Sequence, residues 1–261
     1  MRYLDIYFSI FKINLKNDLI NWQNFLMNLI DSLIWFLLII FFYESIFGIK
    51  DKVNGWSKDE ILILVATSEI IKSIVFALFI ENLPSIPRMI IKGDLDNYLL
   101  KPIDSRFLIS VFNIDFGNLG SILPALYLLF YSISSLNNKL YLSSILIYII
   151  FIIIAVILSY SLWISIMTLS FFILKGTSIH EFFMGALTLT RYPKDIFKKG
   201  LSFLLTVIFP ILLVSNIPAN ILKNNAVDRS VISFVLITII YYIISKLFWN
   251  IAIRRYESAS K

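Results

Sequence analysis

Six long apolar runs, separated by short polar segments, dominate the chain. A transmembrane helix needs about 20 mostly apolar residues, and each run approaches or exceeds that length. The sequence therefore predicts an all-α integral membrane protein, with one transmembrane domain over 1–261 and six transmembrane helices. The fourth run has no charged residue and would form a helix about 50 Å long, so it must tilt, bend or project from the bilayer. The predicted spans are residues 25–47, 60–81, 105–136, 141–174, 201–217 and 231–253.

The stretch before the first span, residues 2–22, has a different pattern. Its apolar positions recur at helical spacing, and its polar and basic positions recur on another face. An amphipathic helix with aromatic residues on one face and lysines on the other suits the headgroup region of a membrane, so we expect an interfacial helix here. The apolar stripe consists of Leu4, Phe8, Phe11, Leu15 and Leu19, and the polar one of Asp5, Ser9, Lys12 and Lys16.

Composition agrees with a membrane protein and removes several classes of chemistry. Hydrophobic residues make up 59% of the 261 residues, and the mean hydropathy is +0.84. The chain has no cysteine and a single histidine, which excludes disulfides, thiol catalysis and a histidine-based metal site. It also lacks a glycine-rich GxxxxGK[ST] loop, so it is not expected to hold ATP phosphates in that way. No catalytic residue and no metal ligand is predicted.

Lysine and arginine are divided unequally between the two sides that six spans create. Fifteen of them fall in the N-terminal helix, the segment after the second span, the connector 175–200 and the C-terminal tail, against six on the opposite side. Positive residues favour cytoplasmic segments, so both termini and these two connectors are predicted to be cytoplasmic. The same bias accounts for the formal charge of +6 without nucleic-acid binding.

Four charged residues lie inside or close to the predicted spans. A charge at the centre of a bilayer costs about 2.5–3.5 kcal/mol on insertion scales, so such residues face the bundle interior and pair, or lie near an interface. Glu69 and Lys72 are three residues apart and can pair on one helix, either as a structural pair or as part of a translocation path or subunit contact. Asp31 and Asp115 are expected to lie shallow, near the cytoplasmic boundary.

The segment between the second and third spans, residues 83–104, carries the most local structure. Pro84 and Pro87 are expected to end the preceding apolar run, and Gly93 permits a backbone reversal. Asp94 is then positioned to cap a short helix through Leu100, and Asp104 to cap the third span. The helix is predicted to end at Lys101-Pro102. Leu95, Tyr98 and Leu99 form one apolar stripe on it.

The pattern Gly93-x-Leu95-Asp96-x-x-Leu99-Leu100-x-Pro102 resembles the permease subunits of ABC type-2 exporters that work with a separate ATPase. The resemblance implies that the segment is a coupling helix docking on that ATPase, with the apolar stripe entering a groove. It also implies a second permease subunit, identical or paralogous, and ATP-Mg bound by the ATPase rather than by this chain. The residues assigned to coupling are Gly93, Leu95, Asp96, Tyr98, Leu99, Leu100 and Pro102.

Two further features are similar to that family. A tyrosine-proline element, Tyr192-Pro193, precedes the fifth span, and residues 218–222 are a candidate for a re-entrant outer segment. The expected function is outward movement of a hydrophobic or amphipathic substrate across a bacterial cytoplasmic membrane. Two alternatives stay open: an ion-coupled secondary transporter, which would need an internal repeat, and an intramembrane enzyme acting on lipids. The short helix in segment 83–104 likewise has a second interpretation, a connector resting on the lipid headgroups.

Overall fold

The computed structural model describes residues 2–49, 51–136, 141–173, 176–224 and 228–256. Within these ranges the chain is helical and has no strand beyond an isolated bridge between Val53 and Trp56. The α-helices are α1 Arg2–Ile20, α2 Trp22–Phe47, α3 Lys58–Phe79, α4 Ile86–Lys92, α5 Asp96–Leu99, α6 Ser105–Val111, α7 Ile122–Ser135, α8 Leu142–Thr168, α9 Gly176–Thr188, α10 Lys199–Phe203, α11 Leu213–Asn224 and α12 Ser230–Arg254. Short 3₁₀ helices lie at Leu83–Ser85, Phe116–Ser121, Leu169–Phe171, Leu189–Arg191 and Lys194–Ile196, and a π-helical turn at Leu204–Ile208 follows α10.

Five helical stretches among the described residues are long and apolar enough to cross a membrane. This agrees with an all-helical integral membrane protein. A bent pair, α10 with its π-helical turn and α11, meets the same criteria of length and composition only when its two arms are taken together. The five stretches are Trp22–Phe47, Lys58–Phe79, Phe116–Ser135, Leu142–Phe171 and Ser230–Arg254.

The turn between α2 and α3 defines one end of the bundle, called here the Trp56 end. The Ser57 side chain accepts a hydrogen bond from the Glu60 amide, and the Glu60 carboxylate accepts one from the Ser57 amide, which starts α3 in a capping box. Lys58 forms an ion pair with Glu44 near the end of α2. The opposite end carries the segment 83–104 and is called the Tyr98 end.

The third predicted span, 105–136, is not one helix. Asp104 caps α6, as predicted, by accepting a hydrogen bond from the Phe107 amide at 3.1 Å. The helix is then interrupted at 112–115 before a 3₁₀ turn leads into α7. At this break the side-chain amide of Asn82 replaces hydrogen bonds that the helix would otherwise make. It donates to the carbonyl oxygen of Asn113 and accepts a hydrogen bond from the Asn113 N–H. Pro124 lies in the first turn of α7, where a missing N–H costs little.

Helices α8 and α12 run in the same direction. Phe151 near the start of α8 stacks on Phe234 near the start of α12, with ring centroids 5.9 Å apart. Beyond the end of α8, Phe171 packs edge-on against Trp249, close to the end of α12. Parallel helices require that the chain between them cross the bundle once in the opposite direction.

That crossing is made by residues 176–196. α9 begins beside α4 at the Tyr98 end, and Phe183 stacks on Trp163 of α8 at 4.8 Å. Farther on, Thr190 is hydrogen-bonded to Ser68 in the middle of α3. The indole N–H of Trp56 then donates to the Asp195 carboxylate at 3.0 Å, so Asp195 lies at the Trp56 end. The connector 175–200, predicted to stay on one side, therefore passes through the bundle; Lys175 lies outside the described residues.

The predicted fifth span, 201–217, forms a re-entrant hairpin instead. Its two arms, Lys199–Ile208 and Leu213–Asn224, meet at 98° around Pro210. The second arm returns to the Trp56 end, where Lys223 pairs with Glu60 at 3.3 Å. The tip reaches the middle of the bundle, since the Ile208 carbonyl accepts a hydrogen bond from Tyr241 of α12. The stretch 218–222, predicted as re-entrant, is the last part of this longer hairpin.

Candidate functional site

The segment 83–104 forms a compact unit at the Tyr98 end. Pro84 and Pro87 each occupy the first turn of a helical element, where their missing N–H groups cost nothing, so they start helices as well as follow α3. Gly93 ends α4 in the left-handed conformation, with φ of 76°. The Leu95 amide donates back to the Met89 carbonyl at 3.4 Å, which folds α5 against α4. Leu95, not Asp94, is the residue that precedes α5.

The apolar stripe of this segment faces its own bundle. Leu95 is fully buried, and Leu99 is half-buried against the core. The Tyr98 ring packs edge-on against Phe112 at 5.9 Å, and the Lys101 ammonium lies 5.5 Å from the Tyr98 ring centre. These side chains therefore do not project as a free knob toward a partner. Their burial instead fixes the segment to α6 and the core.

Two other apolar residues are exposed on the same segment. Ile91 of α4 is 57% exposed, and Leu100, which follows α5, is 84% exposed. Asp94, Asn97 and Pro102 are also exposed. Of the residues predicted to couple, Gly93 and Asp96 are half-buried. The surface available to a partner thus consists of Ile91 and Leu100 among polar neighbours, and we call these two the outer apolar pair.

Glu69 and Lys72 of α3 form the predicted ion pair, and the structure adds a third member. Arg191 lies with Nη2 at 3.7 Å from the Glu69 carboxylate, and its guanidinium stacks 4.5 Å above the ring of Trp35. Glu69 is 5% exposed. One carboxylate is thus shared by two cations within the bundle, in what we call the Glu69 cluster.

Arg191 was missed because its position in the sequence is typical of a loop. It lies just before Tyr192-Pro193 in a segment with several charges. The stretch that precedes Arg191, residues 182–190, has no charged residue, as expected for a buried helix. This pattern could have indicated that Arg191 lies within the bundle. A partly buried cation is tolerated where a carboxylate offsets it, and Glu69 supplies that carboxylate to Arg191 from another helix.

Asp31 and Asp115 lie apart from the Glu69 cluster. Asp31 is exposed on α2, among large apolar side chains that are also exposed. Asp115 lies at the break before α7, near the Tyr98 end, where it accepts hydrogen bonds from the Gly117 amide at 2.9 Å and the Asn118 side chain at 2.7 Å. Burial and the nearby Asp18 carboxylate raise the pKa of Asp115, while these hydrogen bonds oppose the shift.

The N-terminal helix is anchored at the same break. The Phe116 amide donates to the Asp18 carboxylate at 2.7 Å, and the Asn14 side chain donates to the Phe112 carbonyl at 3.2 Å. Phe11 packs edge-on against Phe116 at 5.0 Å. Part of the predicted apolar stripe therefore contacts the bundle, whereas Phe8 and Leu19 are exposed.

Comparison with known families gives one match. The family described as ABC-2 family transporter protein matches residues 33–260, which is most of the chain. Neither the curated proteins nor the solved structures compared with the chain gave a match.

Proposed function

The chain belongs to the ABC-2 transporter family, whose members are membrane transport subunits rather than ATPases, and from this we propose that it is the permease of an ATP-driven exporter. Permeases of this family normally work with a separate ATPase subunit. In the proposed complex that ATPase binds and hydrolyses ATP-Mg, and this chain supplies the path through a bacterial cytoplasmic membrane. The substrate we propose is hydrophobic or amphipathic and moves outward.

The observation that carries the proposal is the compact segment 83–104 at the Tyr98 end. A coupling element must transmit force, so it needs firm attachment to the spans and an exposed contact surface. Leu95 and the Tyr98–Phe112 contact attach it, and Ile91 and Leu100 supply the surface. We therefore assign docking on the ATPase to the outer apolar pair, and the transmission of motion to Leu95, Tyr98 and Leu99.

We propose that the Tyr98 end faces the cytoplasm. Among the described residues this end carries the basic residues of α1, the segment 83–104 and the end of α12. Lys194, Lys198 and Lys199 lie with the Trp56 end instead, so the excess of positive charge is smaller than the sequence predicted. The orientation consequently depends on the coupling assignment as well as on charge. The helix α1 would then lie at the inner headgroup region.

A second permease subunit, identical or paralogous, is part of the proposal. Helix α2 supports a second subunit, because only 17% of the residues in its most apolar stretch are buried within this chain. Asp31 lies on that exposed helix and would be poorly placed against lipid tails. A subunit contact along α2 would cover the carboxylate and the apolar residues together.

The test is ATP hydrolysis by defined components. The chain is purified alone and together with a candidate partner ATPase from the same genome, and both preparations are assayed in lipid vesicles. We expect hydrolysis only with the ATPase present, and ATP-dependent movement of an amphipathic cargo in the complex. Robust hydrolysis by the chain alone, or transport driven by an ion gradient without ATP, would overturn the proposal.

A further inference from the structure

Arg106 of α6 is a deeply buried cation, and its hydrogen-bond partners among the described residues are neutral hydroxyl groups. It is 4% exposed, and the ion pairs formed by the described residues do not include it. Its Nε donates to the Tyr160 hydroxyl at 3.1 Å, and its Nη2 donates to the Ser245 hydroxyl at 2.9 Å. The rings of Tyr160 and Tyr242 lie 5.1 and 5.0 Å from the guanidinium carbon. Neutral partners position the side chain but leave its charge uncompensated, which is costly in an apolar surrounding.

A cavity of about 330 Å³ opens beside this guanidinium. The exposed Lys246 of α12 lines it together with Arg106, so two cations face the same space. Asp104 also lines the cavity and caps α6 with one carboxylate oxygen, so the lining carries two cations and one carboxylate. The excess of positive charge and the hydroxyl groups suit an anionic group such as a phosphate.

The cationic cavity continues into an apolar groove. A second space of about 600 Å³ shares Phe79, Tyr160 and Tyr242 with the first, and it extends between α8 and α12 toward the Trp56 end. Ile154 and Ile157 line it from α8, and Val235 and Ile239 from α12, all within stretches apolar enough to span a membrane. Moving from Tyr242 to Val235 along α12 covers about 10 Å.

We infer that this paired site binds one anionic phospholipid. The phosphate lies between Arg106 and Lys246, and an acyl chain occupies the groove between α8 and α12. A free phosphate would use only the cavity, and a zwitterionic lipid would bring a third cation next to Arg106 and Lys246. The site is separate from the Glu69 cluster and from the outer apolar pair, so it does not depend on the proposed ATPase contact.

The experiment is a native mass spectrometry titration of the whole detergent-solubilised protein with three probes. These are dioleoyl phosphatidylglycerol, dioleoyl phosphatidylcholine and glycerol phosphate. Lys246→Gln removes one cation at an exposed position and should fold normally, and Ile157→Trp fills the groove. Lys16→Gln, an exposed lysine on α1, is the matched control.

We expect tight binding of one phosphatidylglycerol, with binding of phosphatidylcholine and glycerol phosphate at least tenfold weaker. Lys246→Gln should weaken phosphatidylglycerol about tenfold, the loss expected for a charge-assisted hydrogen bond, and Lys16→Gln should not. Ile157→Trp should weaken it as well. Equal affinity for glycerol phosphate would show a free phosphate site and overturn the lipid assignment. Unchanged phosphatidylglycerol affinity in Lys246→Gln or Ile157→Trp would also overturn it.

Discussion

Replacing Glu69 by Gln tests the Glu69 cluster, because it leaves two partly buried cations, Lys72 and Arg191, without a carboxylate. Removing one partner of a buried ion pair typically costs about 3–5 kcal/mol. The opposite change, Lys72→Met, leaves Glu69 paired with Arg191 at 3.7 Å, so we expect a loss of about 1–2 kcal/mol. The double change Glu69→Gln with Lys72→Met leaves one cation rather than two and should be less damaging than the two losses added.

The assay is unfolding of the purified protein in detergent, followed by tryptophan fluorescence. Glu44→Gln is the matched control, because Glu44 also pairs with a lysine, Lys58, but its side chain is 54% exposed. Exposed pairs contribute about 0–1 kcal/mol, so this control should be nearly silent. The reasoning is refuted if Glu69→Gln behaves like Glu44→Gln, or if the losses from Glu69→Gln and Lys72→Met simply add.

Three further predictions concern the segment 83–104, the re-entrant hairpin and the helix break. Leu95→Ala should cost about 2–5 kcal/mol of unfolding free energy by leaving a cavity in the core, while Leu100→Ala should cost under about 0.5 kcal/mol; similar losses would contradict the inward stripe. Cysteines introduced for Lys198 and Lys52 should react with an impermeant maleimide added from the same side of sealed vesicles, and labelling from opposite sides would contradict the crossing at 176–196. Burial and a neighbouring carboxylate raise the pKa of Asp115 above its usual 3.8, so protonation of this carboxyl should stabilise the fold. In thermal unfolding, the wild type should therefore gain stability relative to Asp115→Asn as the pH falls from 6 toward 4. Parallel pH profiles of the two proteins would contradict this prediction.

The sequence predicted the long helices well because their signal is local. Four of them coincide with predicted spans within a few residues, since an unbroken apolar run and a cap suffice to define each. The capping role of Asp104 was predictable for the same reason. The predicted contact between Glu69 and Lys72 is present because helical spacing alone brings those side chains together.

The features that sequence alone misplaced depend on contacts between distant segments. Residues 176–196 contain charges and a proline, which are typical of a loop, but Glu69 on another helix makes a partly buried Arg191 tolerable. The uncharged stretch around Pro210 has the composition of a transmembrane span. The bend of 98° between its two arms, however, directs the second arm back toward the Trp56 end. From its sequence, the apolar stripe from Leu95 to Leu99 could face either a partner or its own bundle. It faces the bundle because Tyr98 packs against Phe112, which belongs to another segment.

The central claim is that the Tyr98 end docks on an ATPase through the outer apolar pair, and co-purification tests it most directly. Ile91→Asp and Leu100→Asp are each compared with Ile49→Asp, which changes a residue 86% exposed just beyond α2, at the Trp56 end. A buried apolar anchor at an interface contributes about 2 kcal/mol, so each of the first two changes should weaken ATPase binding about 30-fold and stop ATP-dependent transport. Ile49→Asp should retain the ATPase at wild-type stoichiometry. Wild-type retention of the ATPase by both Ile91→Asp and Leu100→Asp, with transport intact, would contradict the account.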